Sequence, residues 1–126
     1  MLEDLQKASI FYLEDEELEI EIAEDLKIKL FGTPWTAEHG NAGKAFQIPR
    51  GDLPEKWEKI PGDVDVLISH SPPYSVHDRD GEGNNAGCKA LLELVSETIR
   101  PRVHVFGHIH EGYGWTTIGR DILCSE

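Results

Sequence analysis

The residues with the plainest chemistry are His108 and His110, one residue apart in the stretch RVHVFGHIHEGYG that runs from Arg102 to Gly114. Neutral imidazole binds Zn, Mn, Fe or Ni well, and side chains at i and i+2 of extended backbone point the same way. Two rings so spaced at a strand end converge on one point, and loops set on a rigid scaffold are common ligand sites. Val103 to Phe106 ahead of them reads as a short buried strand, apolar, β-branched and aromatic, just after the Arg100-Pro101 break. Gly107 is expected to let the chain turn sharply. The competing reading is two surface histidines on a turn, but Gly107 before the pair and the Gly112 to Gly114 loop after it favour metal.

A second strand delivers a third histidine. Val64 to Ile68 is apolar and runs into Ser69-His70-Ser71-Pro72-Pro73, where the prolines cannot continue a ladder. Between the strands, Cys88, Leu91, Leu92, Val95 and Ile99 recur at helical spacing, with Asn84 or Asn85 as the expected N-cap and Pro101 as the stop. Parallel strands joined through such a helix end at one edge, where α/β folds place their ligands. His70 is therefore expected beside His108 and His110. His104, inside its strand, points away from Val103 and Val105 and is expected to be a core histidine.

The segments VLISHSPP, AGCKALLELV and RPRVHVFGHIHEGYG, with GTPW and PRG upstream, resemble the calcineurin-like metallophosphoesterases, in their MPPED-type (metallophosphoesterase domain-containing) branch. The likeness runs from about Tyr12 onward and covers the C-terminal half of the fold. It implies an α/β fold, a partial metallophosphoesterase sandwich of mixed β-sheets with few helices. It implies divalent metal ions (Mn, Zn, Fe or Mg), with His70 and His108 on one metal and His110 on the other, and a small phosphate ester as substrate. The family's remaining ligands lie in D-x-H, G-D-x-x-D and G-N-H-E motifs. No DxH or GNHE occurs here, and Gly62-Asp63-Val64-Asp65 has the wrong spacing for GDxxD. The expectation is thus a fold lacking its N-terminal half, acting in metal-dependent phosphoester hydrolysis with a homodimer or complementing chain. The alternative is an inactive fragment that binds one metal or a protein partner. No catalytic acid is assigned.

Composition bounds the rest. The 126 residues make one domain, 39% hydrophobic, with residues 1–8 as a frayed start. The formal charge of −12 argues against nonspecific nucleic-acid or anionic-membrane binding. It is concentrated in the first 25 residues, which hold 10 acidic groups and one lysine, so it does not bar a phosphate ester from the histidines. No apolar run approaches a membrane span and the start is no secretory signal, so a soluble cytoplasmic protein is expected. Cys88 and Cys124 read as reduced core residues.

Along the chain, Ser9 to Leu13 is a strand candidate. Leu18 to Ile22 and Leu26 to Leu30 alternate apolar with charged residues, a hairpin with one wet face in which Glu19 and Glu21 meet Lys29 and Lys27. Thr36 to Ile60 reads as a long loop tied down by Trp35, Phe46 and Trp57, with a helical turn at Pro54. His39 and Asn41 are expected to be exposed within it. In the loop from Tyr74 to Gly87, His77 is the candidate substrate-phosphate contact, and Asp78 and Asp80 are possible ligands. Calcium is excluded because the loop lacks the EF-hand's acidic twelfth residue. Trp115 to Ile118 and Ile122 to Cys124 read as a closing hairpin.

Overall fold

Alternating apolar and charged residues build the first hairpin. Strand β1 (Glu16–Ala23) pairs antiparallel with β2 (Leu26–Thr33), with Leu18 opposite Leu30, Ile20 opposite Ile28, and Glu19 and Glu21 opposite Lys29 and Lys27. The ion pair that forms is diagonal, Lys27 Nζ to Glu19 Oε1 at 2.6 Å, while Lys29 reaches Asp63. Water screens both, so they set register more than stability. The fold is a computed structural model that describes residues 7–38, 43–118 and 121–125, of which 118 and 121–125 are described by backbone alone. Most of the expected frayed start, His39, Asn41 and the Cys124 side chain lie outside the described residues.

The sheet grows from β2 by parallel additions. Strand β5 (Val66–Ser69) lies beside β2, β6 (Val103–Phe106) beside β5, and β8 (Asp121–Ser125) beside β6. Strand β7 (Gly114–Ile118) closes the far edge antiparallel to β8, which makes the expected hairpin and the order β1-β2-β5-β6-β8-β7. The result is a mixed sheet with few helices. Between β2 and β5, the helical turn expected at Pro54 is helix α1 (Leu53–Trp57), and the rest of the segment, expected to be loop, carries a two-residue parallel ladder, β3 (Thr36–Ala37) with β4 (Gln47–Ile48). Its aromatic anchors explain the added order. Trp35 and Phe46 pack edge to face at 5.6 Å, Lys56 lies 3.9 Å over the Trp35 ring, and Leu53 and Trp57 are buried.

Two local expectations fail. Ser9 to Leu13 is not a strand and pairs with no strand of the sheet. The segment instead crosses the sheet over Gly32, where a Cβ would lie 2.5 Å from Leu13 Cβ. The crossover helix also starts later than a cap at Asn84 or Asn85 would allow. Helix α2 (Lys89–Glu93) has Cys88 at its N-cap and runs into a wide turn, Leu94–Thr98, closed by Ile99 N–H donating to the Leu94 carbonyl at 2.8 Å. Asn84 and Asn85 are held by Asp80 and Asp78 within the preceding loop.

The sheet's two faces differ. Phe31, Leu67 and Phe106 are buried on one face, and the core of Leu53, Trp57, Leu91, Val95 and Ile99 clusters with Phe31 and Leu67. Cys88 is a free thiol in that core, 3.3 Å from the Trp57 indole nitrogen. The pairing puts Leu18, Leu30, Val66 and Val103 in one row of the opposite face, with Ile68 and Val105 in the next. That face is apolar yet open: Ile20 is 36% exposed and Ile68 39%. The first hairpin was expected to have one wet face, but its apolar side meets solvent as well. No helix among the described residues is long and apolar enough to cross a membrane.

Candidate metal centre

Strands β5 and β6 end in register, Ser69 opposite Phe106, and pass their next residues to the same edge. His70 extends the β5 ladder, its N–H donating to the Thr33 carbonyl at 3.1 Å. At the end of β6 the left-handed residue is His108 itself, with φ of 75°, so the sharp turn expected of Gly107 is made by the histidine. That conformation costs a residue with a Cβ on the order of 1 kcal/mol, although histidine visits it more readily than most. His108 Nδ1 then stands 3.1 Å from His70 Nε2, with ring centroids 4.8 Å apart.

His110 opens a short 3-10 turn, His110–Gly112, and is exposed. All three histidines line one open cleft of about 510 Å³, whose other walls include Lys44, Gln47 of β4, Asp80, Glu82 and Glu111. Although His70 sits at the rim, partial removal from water pushes its ring below the ordinary histidine range, and the charge of His110 adds to this. Both effects keep His70 neutral, the form that ligates metal.

The donor set fits a divalent transition metal in part. Ligand bonds of ~2.0–2.1 Å place neighbouring nitrogens roughly 2.9–3.4 Å apart, and the His70–His108 separation of 3.1 Å falls within that interval. Without metal, one ring donates its N–H to the other. Among the described residues no group of three or more His, Cys, Asp or Glu side chains is assembled to hold an ion. The strand ends therefore bring two imidazole nitrogens to within 3.1 Å, with His110 on the same cleft.

His77 lies elsewhere. It lines a neighbouring cavity of about 300 Å³ with Ser75, Asp78, Arg79, Asn85 and Gly112. A Cβ on Gly112 would lie 2.0 Å from the His77 carbonyl oxygen, so only glycine permits this approach of the two loops. Asp78 lines that cavity too. Its carboxylate is buried and accepts from Ser75 N–H (2.9 Å), Gly87 N–H (3.0 Å) and Asn85 Nδ2 (2.7 Å). It holds the loop that leads from His70 to α2. Asp78→Ala strands three donors and should cost about 3 kcal/mol of stability, read from the urea midpoint. A loss under about 1 kcal/mol would mean that water replaces the carboxylate freely. Asp80 lines the histidine cleft and also holds its own turn, accepting from the N–H groups of Glu82 and Asn84.

His104 is wholly buried, as its place in the strand implied, and is pushed down to about 3 by burial. Sequence reasoning missed the cleft's far wall. Lys44 and Gln47 come from the segment read as loop, and no periodicity marked them. It also missed Asp15, which accepts from Thr33 Oγ1 (2.8 Å), Trp35 Nε1 (2.9 Å) and Lys59 Nζ (2.9 Å) and pins the chain entering β1.

Comparison with known proteins places this geometry. The family model for calcineurin-like phosphoesterases matches residues 9–112. UPF0046 protein T07D4.2 of Caenorhabditis elegans is 44% identical over 113 residues, 89% of this chain and 27% of its own length. Metallophosphoesterase domain-containing protein 1 of Homo sapiens is 42% identical over 105 residues, 82% of this chain and 30% of its own. The chain thus spans about a third or less of the length of these relatives. A crystal structure of TT1561 from Thermus thermophilus superposes with a TM-score of 0.57 at 14% identity, over 97% of this chain and 52% of its own. A second solved structure reaches 0.64 at 17% identity, over 96% of this chain and 47% of its own. These structures share the fold alone, but the family match spans both histidine-bearing strand ends, and the chain belongs to the calcineurin-like phosphoesterase family.

Proposed function

We propose that this chain supplies histidine ligands to a divalent-metal centre that hydrolyses phosphate esters, of the phosphodiesterase or phosphatase type. The observation that carries the reading is the 3.1 Å approach of His70 Nε2 to His108 Nδ1 at the ends of parallel strands. When bound, a metal supplies Lewis acidity toward a phosphoryl oxygen and makes water more acidic. His70 contributes a lone pair that the depressed basicity of its ring leaves free at neutral pH. His110, on the rim of the same cleft, is the ligand for a second metal in this reading. Lys44, on the facing wall, presents a positive charge suited to an anionic phosphate.

The test is hydrolysis of a p-nitrophenyl phosphodiester with Mn²⁺. The chain alone should show little or no turnover, because its sequence carries no DxH, GDxxD or GNHE motif to complete the centre, and lacking a placed general acid typically costs ~10²–10⁴-fold. Adding a polypeptide that carries DxH, GDxxD and GNHE segments should raise the rate. His70→Ala or His110→Ala should remove the gain. Strong hydrolysis by the chain alone, lost on the same substitutions, would show that no complementing chain is needed.

The open sheet face favours a second reading, in which the chain binds a protein partner without turnover. Contiguous exposed apolar surface marks interaction sites or invites association. The purified chain should therefore scatter light with a mass above the monomer at tens of micromolar. A compact monomer under those conditions would count against any role for this face.

A further inference from the structure

Among the described buried groups, His104 combines complete burial, a single polar neighbour and a place on the strand that delivers a metal-site histidine. Its Nε2 is 2.8 Å from Ser69 Oγ, and Ser69 Oγ donates to the Ser71 carbonyl at 2.7 Å. A hydroxyl has one proton. Since the Ser71 carbonyl only accepts, the Ser69 proton lies there, and His104 Nε2 must be the donor to Ser69 Oγ. The ring is neutral, held far below the ordinary histidine range, so Nδ1 carries a lone pair. That atom is buried and has no hydrogen-bond partner among the described residues.

An apolar side chain would avoid that unsatisfied acceptor, a cost the core need not carry. What the imidazole adds is orientation. Ser69 and Ser71 bracket His70, and the Ser69 hydroxyl bond fixes the carbonyl just beyond it. The His70 N–H is already bonded to Thr33 on the other neighbouring strand. His104 is opposite Leu67 on the ladder, so its reach to Ser69 is the diagonal same-face contact between β5 and β6. It therefore ties together the two strands whose ends carry His70 and His108.

We propose that His104, as its Nε2–H tautomer, is a positioning residue that locks the Ser69 hydroxyl and thereby holds His70 at ligand distance from His108. The inference rests on the metal-centre reading above and adds an outer layer to it. Outer-layer partners of ligating groups typically change metal affinity ~10–100-fold.

The experiment titrates Zn²⁺ into wild type, His104→Leu, His104→Gln and Ser69→Ala by calorimetry, with long-range ¹H–¹⁵N spectra of the metal-free proteins. His104→Leu should bind about 10-fold more weakly. Gln, whose amide can still donate, should recover much of that loss. Ser69→Ala should match Leu, and the Ser69→Ala/His104→Leu pair should lose no more than either alone. The spectra should show His104 protonated on Nε2 in wild type, and the His70 and His108 rings should shift toward averaged tautomers in the Leu variant. Unchanged affinity in both Leu and Ser69→Ala, or equal loss in Leu and Gln, overturns the positioning role. If His104→Leu fails to fold, Ser69→Ala alone decides. If wild type binds no Zn²⁺, the metal-centre reading fails, and unchanged His70 and His108 spectra in the variants would then overturn the positioning role as well.

Discussion

His108→Ala is expected to lower Zn²⁺ or Mn²⁺ affinity by about 100-fold or more, because a lost ligand should exceed the ~10–100-fold that outer-layer partners cost. His70→Ala should do the same, since the two nitrogens face one another at 3.1 Å. His108→Gly separates this loss from unfolding. Glycine accepts the φ of 75° that strains a residue with a Cβ. Its thermal midpoint should therefore be no lower than that of wild type, while metal binding is lost as fully as in His108→Ala. His104→Ala should weaken binding far less than either ligand change. If calorimetry finds His104→Ala and His108→Ala equally weak, the metal does not sit between β5 and β6.

The second large effect is acid lability from the core. His104 is held at about 3 in the folded chain, against an ordinary histidine value of 6.5. Between those values the unfolded chain binds a proton that the folded chain refuses, so stability is full above 6.5 and falls as pH drops toward 3. At about 1.4 kcal/mol per pH unit the loss is on the order of 4–5 kcal/mol. That is much of the total stability of a small domain. Asp15, lowered by its bonds to Lys59, Trp35 and Thr33 against the opposing pull of burial, loses stability in the same direction at lower pH. His104→Gln isolates the histidine's share. Urea midpoints from about pH 7 to about pH 4 should fall steeply for wild type and much less for His104→Gln. Parallel slopes would mean that the acid sensitivity lies in the carboxylates.

Local pattern along the chain settled several elements of the fold. Period-two alternation placed the Leu18/Leu30 hairpin in its correct register. Apolar runs ending in His70 and in Gly107-His108 marked two strands, and a 3.6-residue period marked the helix between them. These were legible because neighbours along the chain settle them. The alternation at His104 likewise put it in the core.

Which groups meet depends on contacts between distant parts of the chain. The spacing of His108 and His110 predicted a converging pair, whereas the nitrogens that meet at 3.1 Å are those of His108 and His70, whose contact spans 38 positions. Sequence spacing cannot measure that approach, because it depends on the parallel register of β5 and β6. His77, near His70 in the chain, lies in a neighbouring cavity because glycine at position 112 lets the two loops close on each other. Ser9 to Leu13 has strand-like residues, but in the fold it forms no ladder and its Leu13 packs against Gly32. Periodicity names which face of a strand is apolar; what lies across that face is set by the packing of the whole chain, and here α1 and α2 cover one side and leave Ile20 and Ile68 in water.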